Sequence, residues 1–243
     1  ALPIYRTWPI HQLCCPDPGF ADTQPSCDNG CMHIDHLTFV AGPQGLQATV
    51  DELSEVLGRE FKDGGFHPRF GTRNHILPLT DGRYLEAVEV LDHPAADKAV
   101  YGQVVRARQA LGGGWLSWVI AVDDLAPFER RLERSAVPGS RQFPDGRRLE
   151  WHQIGVKGLM TDPQLPYFLK WESAPEVLPS ALHGDVRLDT IEIAGSRSRV
   201  EEWVGAPITE LLDDIKINFT SPNGSPGISS VTFEVPGRGL IRV

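Results

Sequence analysis

Apolar and polar positions along the chain fall into blocks of two different periods. HIDHLTFVA (33–41) is apolar-rich and alternating, as a half-buried strand requires, and QGLQATVDELSEVLG (44–58) then places Leu46, Val50, Leu53 and Leu57 on one face of a helix stopped by Gly58. NHILPL (74–79) and RYLEAVEVL (83–91) read as strands joined through Thr80, Asp81 and Gly82, where Asp-Gly suits a tight hairpin turn. The same order returns with WLSWVIAV (115–122) as a strand and DDLAPFERRLERS (123–135) as a helix. That helix is capped by an aspartate, takes Pro127 in its first turn and buries Leu125, Phe128 and Leu132. QFPDGRRLEWHQI (142–154) centres on another Asp-Gly turn, and LPYFLKWE (165–172) closes the round. A third, shorter round follows as LDTIEIAG, SRSRVEEWVG with a capping box Ser198-x-x-Glu201, and the strand-like DIKINFT, ISSVTFEV and GLIRV.

Aligned on their strand-to-helix corners, the rounds set His36, Ser117 and Thr190 in equivalent places. Repetition on this scale outweighs any single motif in assigning a fold. The expectation is an α+β protein of repeated strand-helix-three-strand (βαβββ) modules, forming a curled sheet with an open cleft and helices on the outer face. The boundaries are 32–110 for a first module, 111–178 for a second and 179–243 for a C-terminal part-module. An ordinary α+β domain whose helices recur by chance is the other reading of the pattern.

Alternation also sorts the side chains. His36, Thr38 and Val40 share one face of their strand, and Leu37 and Phe39 the other; Tyr84, Glu86 and Val88 likewise oppose Leu85 and Ala87. With helices covering the fully apolar face, His36 and Glu86 both project into the concave side. A glutamate there is a costly buried charge unless it is paired, coordinated or protonated, and Arg69, Arg73 and Arg83 are the cations at hand.

Composition narrows the partners. A net charge of −9 and a pI near 5.3 argue against nucleic acid and anionic membranes. No apolar run reaches the roughly 18 residues of a membrane span, and no secretory pattern opens the chain, so the expected compartment is the cytoplasm. Cys14, Cys15, Cys27 and Cys31 all precede Met32 in a proline-rich stretch without periodicity. Their spacing lacks the paired C-x₂-C of a zinc knuckle, and residues 1–31 read as a disordered or non-native extension. Dinucleotide, Walker and nucleophile-elbow motifs are absent from the sequence.

Taken together, IDHLTFVAGPQGL, GGFHPRFGTRNHILPL, GRYLEAVEV, the DDL helix start, FPDGRRLEW and LPYFLKWE resemble the glyoxalase-like branch of the vicinal oxygen chelate superfamily. The likeness runs from about residue 33 to 175. It implies paired modules around a cleft in which one divalent ion, such as zinc, nickel, manganese or iron, is held by ligands from the first and last strands of each module. His36 matches the first-strand ligand and Glu86 the last-strand ligand. The second module offers Ser117 and a position near Leu169, neither a ligand type, and His67 in the Gly-Gly-Phe-His-Pro segment is the candidate to complete the set by folding a loop over the cleft. His75 and Glu172 are weaker substitutes.

Two functional classes follow. One is a metal-dependent lyase, isomerase or related enzyme acting on a small oxygenated metabolite, with Glu86 catalytic, His36, His67 and Glu86 as metal ligands, and Arg73, Asn74, Tyr84, Trp118 and Trp151 touching substrate. The other is a metal-free protein that sequesters a small molecule in the same cleft, with Trp118, Trp151 and Tyr84 as walls. The resemblance also makes a homodimer an expected assembly.

Overall fold

The structure is a computed structural model, and it describes residues 32–143, 145–211, 214–221 and 224–243. The extension read over 1–31, with all four cysteines, lies outside the described residues.

Strand β1 (Met32–Val40), helix α1 (Leu46–Leu57) and strands β2 (Lys62–His67), β3 (Thr72–Pro78) and β4 (Tyr84–Val90) come first. Helices α2 (Pro94–Lys98) and α3 (Val100–Ala110) lead to β5 (Gly114–Val122), α4 (Ala126–Leu132), β6 (Val137–Gln142), β7 (Arg148–Ile154) and β8 (Tyr167–Trp171). Then follow β9 (Arg187–Ala194), α5 (Arg197–Val204), β10 (Lys216–Thr220), β11 (Gly227–Val235) and β12 (Gly239–Arg242). Eight strands curl into a closed barrel in the order β1-β4-β3-β2-β6-β7-β8-β5. Parallel pairs β1–β4 and β5–β8 flank an antiparallel β1–β5 seam, and the opposite seam meets where Phe66 of β2 pairs Gln142 of β6.

Local chemistry explains most element boundaries. Gly58 ends α1 in the left-handed conformation (φ 63°), and Asp81 and Gly82 both take positive φ (58° and 69°), as a two-residue turn between twisted strands demands. Asp124 accepts from the Ala126 N–H at 3.0 Å at the start of α4. At α5 the cap is Ser196, which accepts from the Arg199 N–H, so the capping box expected at Ser198 sits two residues too late; Ser198 lies inside the helix.

The outer face of the barrel is apolar, as strand alternation requires. α1 packs Leu46, Val50 and Leu53 on Ala41 and Ala87, and α4 sets Phe128 on Phe168 with ring centroids 4.1 Å apart. A four-stranded sheet in the order β10-β9-β11-β12 continues this layer, so that Leu188, Ile191, Val231 and Phe233 share one core with Leu37, Trp118 and Ile120. Its strand order differs from that of either half of the barrel, because β9 pairs in parallel with the strand directly after its helix.

The sheet does not leave an open cleft. Helix α3, an element outside the repeated strand-helix-three-strand pattern, lies on the inner side: Tyr101, Val104 and Val105 pack against Val88, Val119 and Tyr167, the inward residues of three strands. Not all helices are therefore on the outer face. The reason is physical: inward Val40, Val88, Val119 and Leu169 form an apolar surface that water would otherwise wet, and an amphipathic helix covers it. Among the described residues no helix is long and apolar enough to cross a membrane.

Candidate active site inside the barrel

What α3 leaves uncovered is a small cavity lined by His36, His67, Asn74, Tyr84, Glu86, Tyr101, Arg141, Trp151, Gln153 and Tyr167, all buried, with the half-buried Trp171 at its edge. Its free volume is about 30 Å³, room for roughly two water molecules at one per 10–15 Å³.

Glu86 stands at the centre. Its Oε1 accepts from Asn74 Nδ2 at 2.6 Å, and its Oε2 from the Tyr101 hydroxyl at 3.1 Å and the Thr38 hydroxyl at 3.2 Å. Two imidazoles face the same carboxylate, His36 Nε2 at 3.9 Å from Oε2 and His67 Nε2 at 4.0 Å from Oε1. Burial alone would raise the pKa of this acid, but His36, His67, Asn74 and Tyr101 outweigh it and hold Glu86 below its ordinary value. None of the expected arginine partners is involved: Arg73 pairs with Glu89, and Arg83 makes a two-pronged contact with Asp214 at 2.8 and 2.9 Å.

Each imidazole is held from behind. Asp35 Oδ2 lies 2.6 Å from His36 Nδ1, and its Oδ1 accepts from Trp171 Nε1 at 3.0 Å. Consecutive strand residues normally point to opposite faces, but the β1–β5 register slips between Ile34 and His36, and this bulge turns Asp35 back toward its neighbour. Burial opposes ionisation of Asp35, yet its hydrogen bond to His36 keeps its pKa below the ordinary value, so the carboxylate accepts and His36 Nδ1 carries the proton. His36 Nε2 is left facing the cavity, 3.4 Å from the Tyr167 hydroxyl, with the Tyr84 ring stacked on the imidazole at 4.5 Å. His67 Nδ1 lies 2.9 Å from Thr72 Oγ1, and burial, assisted by nearby Arg141 and opposed by Glu86, pulls its pKa down to about 4.

The sequence-based candidates divide accordingly. His36, His67, Asn74, Tyr84, Glu86 and Trp151 meet in the cavity. His67 arrives on strand β2 rather than on a folding loop, since Gly64 and Gly65 lie within that strand and Gly64 makes room for the Asn74 side chain. Arg73 does not belong to the site: it faces outward and pairs with Glu89, whose other oxygen accepts from the Leu46 N–H at the start of α1. Trp118 is not a wall either. It alternates with inward Ser117 and Val119, is fully buried in the outer core and donates from Nε1 to the Gln164 carbonyl at 3.0 Å. Of the weaker substitutes, Glu172 pairs with His152 at the surface at 2.9 Å.

Tyr167 rather than Leu169 is the register counterpart of Glu86, because Tyr167 pairs Val119 on β5 as Glu86 pairs Thr38 on β1. Missed residues are Asp35, Thr72, Tyr101, Arg141, Gln153 and Tyr167. The i, i+3, i+4 apolar pattern of Tyr101, Val104 and Val105 was a usable signal for α3; β6, VPGSRQ, carried none.

The donor types around Glu86 are those a divalent ion accepts, two imidazoles with their second nitrogens tied and one carboxylate. Their present spacing is wider than that of an assembled site, and among the described residues no group of three or more His, Cys, Asp or Glu side chains is arranged to hold an ion.

A family model described as a glyoxalase-like domain matches residues 34–209. No curated protein matches the chain. Among solved structures, a hypothetical protein from Staphylococcus aureus is similar over 87% of this chain and 85% of its own, at 14% identity and TM-score 0.53, which shows the shared fold. A methylmalonyl-CoA epimerase from Mycobacterium tuberculosis is similar over 60% of this chain and 90% of its own, at 17% identity and TM-score 0.40.

Proposed function

For a chain that belongs to the glyoxalase-like domain family, we propose that the barrel cavity is the active site of a lyase or isomerase that moves a proton on a small oxygenated metabolite. The observation that carries this reading is the placement of one buried, ionised carboxylate, Glu86, between two imidazole Nε2 atoms whose rings are fixed from behind. Residues 32–110 and 111–178 act as two modules that each supply half of the barrel, and 179–243 as a part-module backing its outer face.

Glu86 is the general base, removing a proton from a carbon beside an oxygen-bearing group. A base held ionised is available at neutral pH, and positioned acid–base groups contribute on the order of 10²–10⁴ in rate. Tyr167, whose burial keeps its phenol protonated well above the ordinary range, supplies a donor to oxygen as negative charge develops, while the Tyr101 hydroxyl stays on Glu86. His36, oriented by Asp35, positions substrate at its Nε2. His36, His67 and Glu86 are the residues that would hold a divalent ion, zinc, nickel, manganese or iron, which when bound supplies Lewis-acid charge at the same oxygen. The buried charges of Glu86 and Arg141 in the cavity lining speak against the rival role, a metal-free protein that sequesters a small apolar or aromatic compound.

The test is solvent deuterium uptake by small hydroxy- and oxo-compounds, followed by proton NMR together with elemental analysis of the untagged protein, for wild type and Glu86→Gln. Exchange in the wild type that falls at least about 100-fold in Glu86→Gln supports the assignment. Exchange that survives the substitution removes Glu86 as the base, and about one equivalent of metal lost in the variant adds the ion to the site.

A further inference from the structure

We propose that the cavity receives a small carboxylate and that Arg141 is the group that binds it. The proposal rests on the reading of this cavity as an active site and names the substrate class.

Arg141 enters from β6 and is 3% exposed. Its Nε and Nη2 are buried and have no hydrogen-bond partner among the described residues, although the guanidinium lies over the Phe143 ring at 4.6 Å. The two carboxylates of the cavity are committed elsewhere: Asp35 to His36 and Trp171, and Glu86 to Asn74, Tyr101 and Thr38. An arginine stays charged under these conditions, and although Glu86 and Asp35 attract it through space, burying Nε and Nη2 with nothing to donate to is a cost that an apolar side chain of the same size would avoid. Such a cost is kept where a ligand offsets it.

The identity of the free donors selects the ligand. Nε–H and the N–H of Nη2 that points the same way form the side-on edge of the guanidinium, a parallel pair that matches the two oxygens of a planar carboxylate. A cavity of about 30 Å³ suits a compact monoanion. A phosphate dianion would bring a second charge to face Glu86 and Asp35. The unpaired donors of Arg141 therefore describe a small carboxylate, of which glycolate and acetate are compact examples.

Binding can be measured without turnover. Sodium glycolate, acetate and phosphate are titrated into the full chain at constant ionic strength and followed by calorimetry and by thermal melting. Wild type is expected to bind glycolate and acetate saturably, with phosphate no better than chloride. Arg141→Gln is expected to weaken glycolate by at least about 10-fold, and Arg141→Lys to lie between, keeping the charge and losing the fork. Glu86→Gln, which removes the proposed base, is expected still to bind, so failure of the catalytic reading and failure of the carboxylate reading give different results. Arg141→Met without ligand is expected to melt at or above the wild-type temperature, because it removes an unpaired buried cation. No saturable glycolate binding, phosphate binding as well as glycolate, unchanged affinity in Arg141→Gln, or a lower melting temperature in Arg141→Met would each overturn the proposal.

Discussion

Asn74 donates from Nδ2 to Glu86 Oε1 across 2.6 Å, between adjacent strands and with both side chains buried. The contact is possible because the strand pairing of β2 leaves glycine at position 64, where a Cβ would collide with the Asn74 amide. Removing the amide leaves a buried charge short of one donor. Asn74→Ala should therefore destabilise the protein by about 1.5–3 kcal/mol, the range for hydrogen bonds to charged groups. The same change moves the Glu86 pKa upward, since it removes one of the contacts that lower it. Urea unfolding checks the first effect; a stability loss below about 0.5 kcal/mol would contradict it.

Asp35→Asn should act on the chemistry more than on the fold. Asparagine preserves volume and can still accept from Trp171, but the charge that fixes the His36 proton on Nδ1 is gone. Loss of such a supporting group typically lowers activity or metal affinity about 10–100-fold. Deuterium exchange gives the first number, and nitrogen NMR of the histidines shows whether the Nδ1–H form has lost its preference; an unchanged spectrum with unchanged exchange would leave Asp35 without this role.

Gly139 lies against the indole of Trp151 so closely that an added Cβ would overlap the ring. Backbone conformation is not the constraint, since Gly139 is not among the residues with positive φ. Gly139→Ala should push Trp151 from the cavity wall, costing about 1–3 kcal/mol as overpacking does. Weakened glycolate binding should accompany it, and Gly139→Ser should be at least as damaging. A crystal structure of the alanine variant with Trp151 unmoved would refute the argument.

Trp118 offers the opposite contrast. Trp118→Ala should cost about 3–5 kcal/mol of stability, as truncation of a fully buried aromatic does, while the exchange rate per folded molecule stays near wild type. Activity corrected for the folded fraction separates the two; a specific loss of activity would return Trp118 to the cavity wall.

These contrasts show where sequence reading stops. Period and turn chemistry sufficed for β1, α1, the Asp81-Gly82 turn and the inward sharing of a face by His36 and Glu86, because each depends on neighbours within a few residues. Trp118 was misplaced although the same alternation was available: it follows Ser117 in a strand apolar on both sides, where composition does not mark the inner face. Arg73 was misplaced because its partner, Glu89, becomes its neighbour only through the register of β3 against β4.

By itself, the sequence determined an acidic α+β chain of the glyoxalase-like family and singled out His36, His67 and Glu86, which meet in one cavity, through local periodicity and ordered motifs. Tertiary structure alone decided that the cleft is a cavity closed by α3, that a bulge turns Asp35 onto His36, and that Arg141 lies buried with Nε and Nη2 unpaired among the described residues. Those facts arise from packing, strand register and the balance of charges between segments far apart in the chain, none of which any local window of residues contains.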